Sequence, residues 1–132
     1  MEACIIDIPK IPDERGNLSF IEQGQCLDFD IQRVYWIYDV PGGEKRGGHA
    51  FCRQKEIIVA LSGSIDVVLN DGTGERHFHL NRSFNGLFVP EMYWRSMENF
   101  STNAVCMVIA STVYDETDYI YDFETFLKIK RQ

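Results

Sequence analysis

The chain has 132 residues, 45% of them hydrophobic and 13% aromatic, enough for one compact core and too apolar for a disordered segment. Its 13 basic against 20 acidic residues give a formal charge of −7, which argues against nucleic acid or an anionic membrane as the partner. No apolar run approaches the roughly 20 residues of a membrane-spanning helix, and the opening MEACIIDIPKIPDERG has acids where a secretion signal carries basic residues. One domain over residues 1–132, located in the cytoplasm, is expected. Cys4, Cys26, Cys52 and Cys106 form no C-x-x-C pair and are read as free thiols, with Cys52 a buried spectator.

In chain order, short runs rich in β-branched and aromatic residues predict strands over 3–8 (ACIIDI), 18–22 (LSFIE) and 33–38 (RVYWIY). Further strands are predicted over 56–63 (EIIVALSG), 64–70 (SIDVVLN), 76–80 (RHFHL), 86–90 (GLFVP) and 103–112 (NAVCMVIAST). PGG at Pro41–Gly43 and DGTG at Asp71–Gly74 are turn signals, the second a hairpin. On RHFHL, His77 and His79 share one face and Phe78 and Leu80 the other, so the histidines are expected at the surface. The tail from Asp115 to Arg131 is predicted to be helical, capped by its first aspartates, with Tyr119, Phe123, Phe126 and Leu127 on one apolar stripe. The acidic run Asp115–Asp118 is the helix entry. Many short strands with one terminal helix predict an all-β sandwich or jelly-roll barrel.

The segment from Gly43 to Gly63 carries the chemistry. Small jelly-roll barrels of the cupin superfamily hold ligands with the pattern G-x5-H-x-H-x4-E-x6-G, matched here by Gly43, His49, Glu56 and Gly63. Phe51 stands at the second histidine. The second cupin motif maps onto Gly86, Pro90, Met92, Arg95 and Asn99, with arginine at the last metal histidine. Residues 49 and 51 face the same side of a strand and point into the barrel. A metal needs three or four lone-pair donors, whereas Phe51 offers none and Arg95 is a permanent cation, so no metal is expected. A histidine near its reference pKa of ~6.5, a carboxylate and an arginine suit proton abstraction beside a carbonyl.

Together these residues resemble the sugar-nucleotide 3,4-ketoisomerases, cupin-type jelly-roll enzymes acting on dTDP-4-keto-6-deoxy-glucose. The resemblance rests on D-x-R-G at Asp13–Gly16, R-V-Y at Arg33–Tyr35, R-G-x-H-A at Arg46–Ala50 and S-G-S at Ser62–Ser64. It continues through D-G at Asp71–Gly72, G-L-x-V-P at Gly86–Pro90, Trp94, and A-S-x-x-Y-D-E-x-D-Y-I at Ala110–Ile120. It implies a homodimer exchanging an early strand such as Ala3–Ile8, no cofactor, and a dTDP-linked 4-keto-6-deoxy sugar as the substrate. A base would remove the C3 proton and the enediol would be reprotonated at C4, giving a 3-keto sugar for 3-amino-3,6-dideoxy sugar synthesis.

Where many members of that family read H-A-H, this chain reads H-A-F. His49 and Glu56 are therefore expected to share the proton work, with Tyr35 as a further catalytic residue. Glu56 as the buried ion-pair partner of Arg95 or Arg46 is the competing reading. Arg33, Arg46 and Arg95 are assigned to pyrophosphate or sugar contacts, and Phe51 to packing or a wall against the sugar. Arg15 is either a phosphate contact or half of a turn-stabilising ion pair. Trp94 either packs the barrel mouth or stacks on thymine. Two rival functions remain: a sugar-nucleotide-binding module without turnover, favoured by Phe51, and a 3,5-epimerase-like enzyme.

Overall fold

The computed structural model describes residues 2–25 and 27–132. Cys26 lies outside them; Cys4, Cys52 and Cys106 are free thiols. Among the described residues there are twelve strands, a short 3-10 turn and one helix. They are β1 (Cys4–Asp7), β2 (Lys10–Ile11), β3 (Leu18–Ser19), β4 (Arg33–Ile37), β5 (Arg46–Phe51), β6 (Glu56–Ser62), β7 (Ile65–Asn70) and β8 (Glu75–Leu80). β9 (Asn85–Val89), β10 (Trp94–Glu98), β11 (Val105–Ala110), β12 (Tyr119–Ile120) and α1 (Phe123–Lys130) complete it.

Two antiparallel five-stranded sheets face each other, in the orders β1-β9-β6-β11-β4 and β12-β5-β10-β7-β8. Successive strands repeatedly cross from one sheet to the other, as β4, β5, β6 and β7 do, which is the jelly-roll arrangement expected from the sequence. Ile58, Leu87 and Val108 of the first sheet meet Val67, Leu69 and Met97 of the second in the space between them. The outer face of the first sheet is also apolar, and Ile57, Val59, Phe88 and Ile109 are covered there by Ile8, Ile21, Phe29 and Ile31. Burial on both faces explains why β6 reads EIIVA without polar alternation. At one end of the other sheet, Phe126 of α1 packs on Ala50 and Ile120.

The tail departs from the sequence reading. Asp115 caps a 3-10 turn over Glu116–Asp118, Tyr119 and Ile120 form strand β12, and the helix starts only at Phe123. The cap of α1 is Asp122, whose carboxylate accepts from the Thr125 amide at 3.0 Å and the Thr125 hydroxyl at 2.7 Å. Asp118 is not a helix entry. It is buried, and its carboxylate accepts from the amides of Arg53 (2.8 Å) and Gln54 (3.1 Å). These bonds, with the pairing of Tyr119 to Phe51 and Ile120 to Ala50, outweigh the local helical pattern. Of the apolar stripe, Phe123, Phe126 and Leu127 stay on the helix and Tyr119 leaves it.

Cys52 is exposed on the turn after β5 rather than buried. His77 and His79 point outward, while Leu80 is fully buried. The predicted strand over 18–22 shrinks to Leu18–Ser19, paired only with β2. No helix of the described residues is long and apolar enough to cross a membrane.

Candidate active site

β5 brings the site together. Gly47 has φ +76°, and β5 carries one extra residue against β10 between the pairs His49–Arg95 and Arg46–Met97. Glycine accepts this left-handed bulge without the strain a side chain would bring. The same glycine leaves room for Arg95, since a Cβ there would lie 2.6 Å from Arg95 Nη1. His49 sits directly across from Arg95, and both side chains turn inward.

A cleft of about 400 Å³ opens above them. Arg33, Tyr35 and Trp36 from β4, Arg46, Gly47 and His49 from β5, Arg95 from β10, and Tyr119 and Tyr121 at β12 line it. Beneath it lies a polar network. Arg95 and Glu56 form an ion pair and are 2% and 1% exposed. Arg95 Nη2 donates to Glu56 Oε2 at 3.1 Å and to the Tyr35 hydroxyl at 2.9 Å. Gln54 is equally buried; its carbonyl oxygen accepts from Arg33 Nη2 and from the Thr112 hydroxyl, both at 2.6 Å.

Among the described residues, four buried side-chain nitrogens make no hydrogen bond: His49 Nε2, Arg33 Nε, Arg95 Nη1 and Arg95 Nε, the last facing Glu56 in the ion pair. All belong to residues lining the cleft. Buried donors and acceptors are almost always paired, so such a cluster marks a place shaped for a polar ligand.

The electrostatics correct one expectation. His49 is not near the reference value for histidine: burial, then the charges of Arg95 and Arg46, hold its pKa down to about 3. It is a neutral imidazole at physiological pH. Tyr35 is shifted upward, first by burial and then by the negative charge of Glu56, and stays protonated. Arg95 is held in its charged form by Glu56 and Tyr35 against the penalty of burial. Cys106, behind the pair in the core, is pushed up to about 12 by burial and is inert as a nucleophile.

His49, Tyr35, Arg33, Arg46 and Arg95 all line this one cleft. Phe51 packs edge-on against His49 (ring centres 4.9 Å apart) and beneath the Arg95 guanidinium, supporting the site from behind. Glu56 does not line the cleft; it is the ion-pair partner of Arg95. Trp94 is not at the cleft either. It alternates with Arg95 to the opposite face of β10 and packs on Phe123 and Phe126 under α1. Arg15 also lies outside its own chain's cleft, 87% exposed, and pairs with Asp13 at 2.9 Å in the turn between β2 and β3.

The sequence reading missed Gln54, Tyr119 and Tyr121. Tyr119 and Tyr121 stack on each other, 5.4 Å between ring centres, and Tyr119 lies 5.0 Å from the His49 ring. Their i, i+2 spacing was the available signal, obscured by the helical pattern that follows. Among the described residues no three histidine, cysteine, aspartate or glutamate side chains are grouped to hold a metal ion. A second groove, on the outer face of the first sheet beside Ile8, Val34 and Leu61, contains no titratable side chain and offers no comparable chemistry.

The two-sheet barrel defines a jelly-roll protein whose cationic, tyrosine-walled cleft, set over a neutral histidine, has the chemistry to suit an anionic ligand. Residues 1–131 match the family model described as "FdtA: WxcM-like, C-terminal". A TDP-4-oxo-6-deoxy-α-D-glucose-3,4-oxoisomerase from Aneurinibacillus thermoaerophilus is 42% identical over 128 residues, covering 97% of this chain and 92% of that one. A 3,4-ketoisomerase from Helicobacter canadensis superposes with a TM-score of 0.96 at 36% identity, over 100% of this chain and 99% of the other. A histidine-to-asparagine mutant of the 3,4-ketoisomerase QdtA from Thermoanaerobacterium thermosaccharolyticum, in complex with TDP-4-keto-6-deoxyglucose, gives 0.96 at 32% identity, over 98% and 94%. The chain belongs to this family of TDP-sugar 3,4-ketoisomerases.

Proposed function

We propose that this chain, as a single 1–132 domain, converts TDP-4-keto-6-deoxyglucose to the corresponding 3-keto sugar without a metal ion, with His49 as the base. The observation that carries the reading is the unpartnered Nε2 of a neutral His49 in the same cleft as the unpartnered Nη1 of Arg95. The C4 ketone acidifies the C3 hydrogen. His49 Nε2 takes that proton, and the electron pair of the C3–H bond forms an enediolate whose charge rests on the C4 oxygen. Arg95 stabilises that charge. The imidazolium, after exchange with solvent, gives its proton to C4 while the hydroxyl proton moves from the C3 oxygen to the C4 oxygen, so that ketone and alcohol exchange places and His49 is neutral again. The Tyr35 hydroxyl, held protonated beside Glu56, is suited to that second transfer.

Arg33 and Arg46 fit the pyrophosphate, and Tyr119 and Tyr121 offer flat faces to the base or sugar. Glu56 in this reading does its proton work through Tyr35 and Arg95 rather than on the sugar. The 3-keto product is one a transaminase can take to a 3-amino-3,6-dideoxy sugar. We extend the reading to a homodimer. Val34, Trp36 and Leu61 expose apolar surface on the first sheet, with Trp36 at 59%. β1 pairs with β9 of its own chain, so an exchange of the N-terminal region would have to carry that strand or the β2–β3 turn bearing Arg15 to the partner. Sedimentation at varied concentration tests the assembly.

The activity is tested by proton NMR of TDP-4-keto-6-deoxyglucose incubated with the protein in deuterated water. Deuterium at C4 together with a 3-keto product is the expected result. Binding without deuterium uptake would turn the assignment to a non-catalytic sugar-nucleotide binder.

A further inference from the structure

Gln54 occupies an unusual electrostatic position. Its carbonyl oxygen faces a cation, accepting from Arg33 Nη2 at 2.6 Å, and its amide nitrogen faces an anion, donating to Glu56 Oε2 at 3.4 Å. A primary amide offers an acceptor at one corner and donors at the other, so it satisfies both charges at once. A glutamate here would place a second carboxylate against Glu56, and an apolar residue would leave Arg33 without its acceptor.

Two further hydrogen bonds, one to the side chain and one from the backbone, fix the buried residue. The Thr112 hydroxyl donates to the same carbonyl oxygen at 2.6 Å, the Gln54 backbone amide donates to Asp118 Oδ2 at 3.1 Å, and the residue is 1% exposed. A group so fixed cannot turn over to exchange its two ends. It is absent from the cleft lining, so it does not touch the ligand directly. Its neighbours do. Arg33 reaches the cleft on one side of it, and the Glu56–Arg95–Tyr35 set reaches the cleft on the other.

We propose that Gln54 is a positioning residue that joins the nucleotide-holding Arg33 to the proton-transfer network of Glu56, Arg95 and Tyr35, each through a different end of its carboxamide. The assignment rests on the proposed role of Arg33 in holding the TDP group. Because the two ends serve different groups, two substitutions separate two kinetic effects. Gln54→Met keeps the volume and removes both ends. Gln54→Glu keeps the acceptor toward Arg33 and loses the donor toward Glu56.

The test measures TDP affinity by calorimetry and steady-state rates on TDP-4-keto-6-deoxyglucose, for the full chain and for Gln54→Met, Gln54→Glu and Arg33→Met. Gln54→Met, lacking both ends, should weaken TDP binding and raise KM by about tenfold, the scale of one hydrogen bond to a charged group, and should also lower kcat. Gln54→Glu should keep TDP affinity within about twofold while kcat falls roughly tenfold. If the two Gln54 variants lose affinity and turnover alike, Gln54 is only structural and the proposal is wrong. If Gln54→Met does not fold, Gln54→Glu still decides, because a loss of TDP affinity there contradicts the retained acceptor. Unchanged TDP affinity in Arg33→Met would instead overturn the role of Arg33, and the proposal with it.

Discussion

Arg95 and Glu56 neutralise each other beneath the cleft, with the Tyr35 hydroxyl accepting from the same guanidinium at 2.9 Å. The carboxylate is therefore part of the floor that holds a cation in place. Removing one member of such a pair leaves an uncompensated charge in a low-dielectric interior. Glu56→Gln should destabilise the fold by about 3 kcal/mol, the lower end for breaking a buried pair. The double change Glu56→Gln with Arg95→Met should recover much of that in a denaturant titration yet stay inactive. Recovery of activity in the double variant would show that Arg95 has no part in turnover.

The depressed pKa of His49 has a sign that can be measured. Its folded value of about 3 lies below the unfolded ~6.5, so the unfolded state binds more protons between those limits. The stability this neutral imidazole contributes is complete above pH 6.5 and is lost as pH falls toward 3. Thermal melts from pH 7 to 4 should show a steeper decline in the wild type than in His49→Asn, which has no proton to take up.

Substrate binding should move the same group in the opposite direction. A pyrophosphate beside Arg46 offsets part of the positive field that lowers the His49 pKa. The acid limb of kcat, which reports the bound enzyme, should therefore lie at higher pH than the acid limb of kcat/KM, which reports the free enzyme. Coincident limbs would mean that the pyrophosphate does not lie beside this histidine.

Gly47→Ala tests the bulge. The new methyl would meet Arg95 Nη1 at 2.6 Å in a backbone conformation of φ +76°. Backbone strain alone costs about 1 kcal/mol, and the displaced guanidinium should lower kcat at least tenfold. Near-normal turnover would show that Arg95 tolerates a shift.

Phe126→Ala addresses the helix. Phe126 is fully buried between α1 and the second sheet, against Trp94, Ala50 and Ile120. Truncation should cost ~3–5 kcal/mol in urea or thermal unfolding. An effect under about 1 kcal/mol would mean that the helix docks only loosely.

The sheets were legible because β-branched runs bounded by turn residues leave few other options, and the inward residues of β5 follow from the two-residue period. His49 and Arg33 were accessible for the same reason; Arg95 came from the second cupin motif, since β10 (Trp94–Glu98) was not among the predicted strands. The sequence does not decide between packing and thymine stacking for Trp94; alternation with Arg95 sends it to the opposite face, where it packs under α1. Tyr119 was lost to a helix pattern, since the bond that stops the helix comes from Asp118 to a turn 64 or 65 residues earlier. Gln54 carries no local signal. Its distant partners at positions 33 and 112 reach it only when β4, β11 and β6 pair within the first sheet.

The wall over His49 has a consequence for the order in which the enzyme matures. His49 and Arg95 belong to β5 and β10, which pair with each other with no contribution from residues 119–121. Only when Asp118 reaches the Arg53 and Gln54 amides does β12 join the edge of β5 and bring Tyr119 and Tyr121 over the imidazole. A chain in which β12 is undocked lacks the tyrosine wall over His49. The docking of one short strand then separates a protein that has folded from one that can hold its substrate.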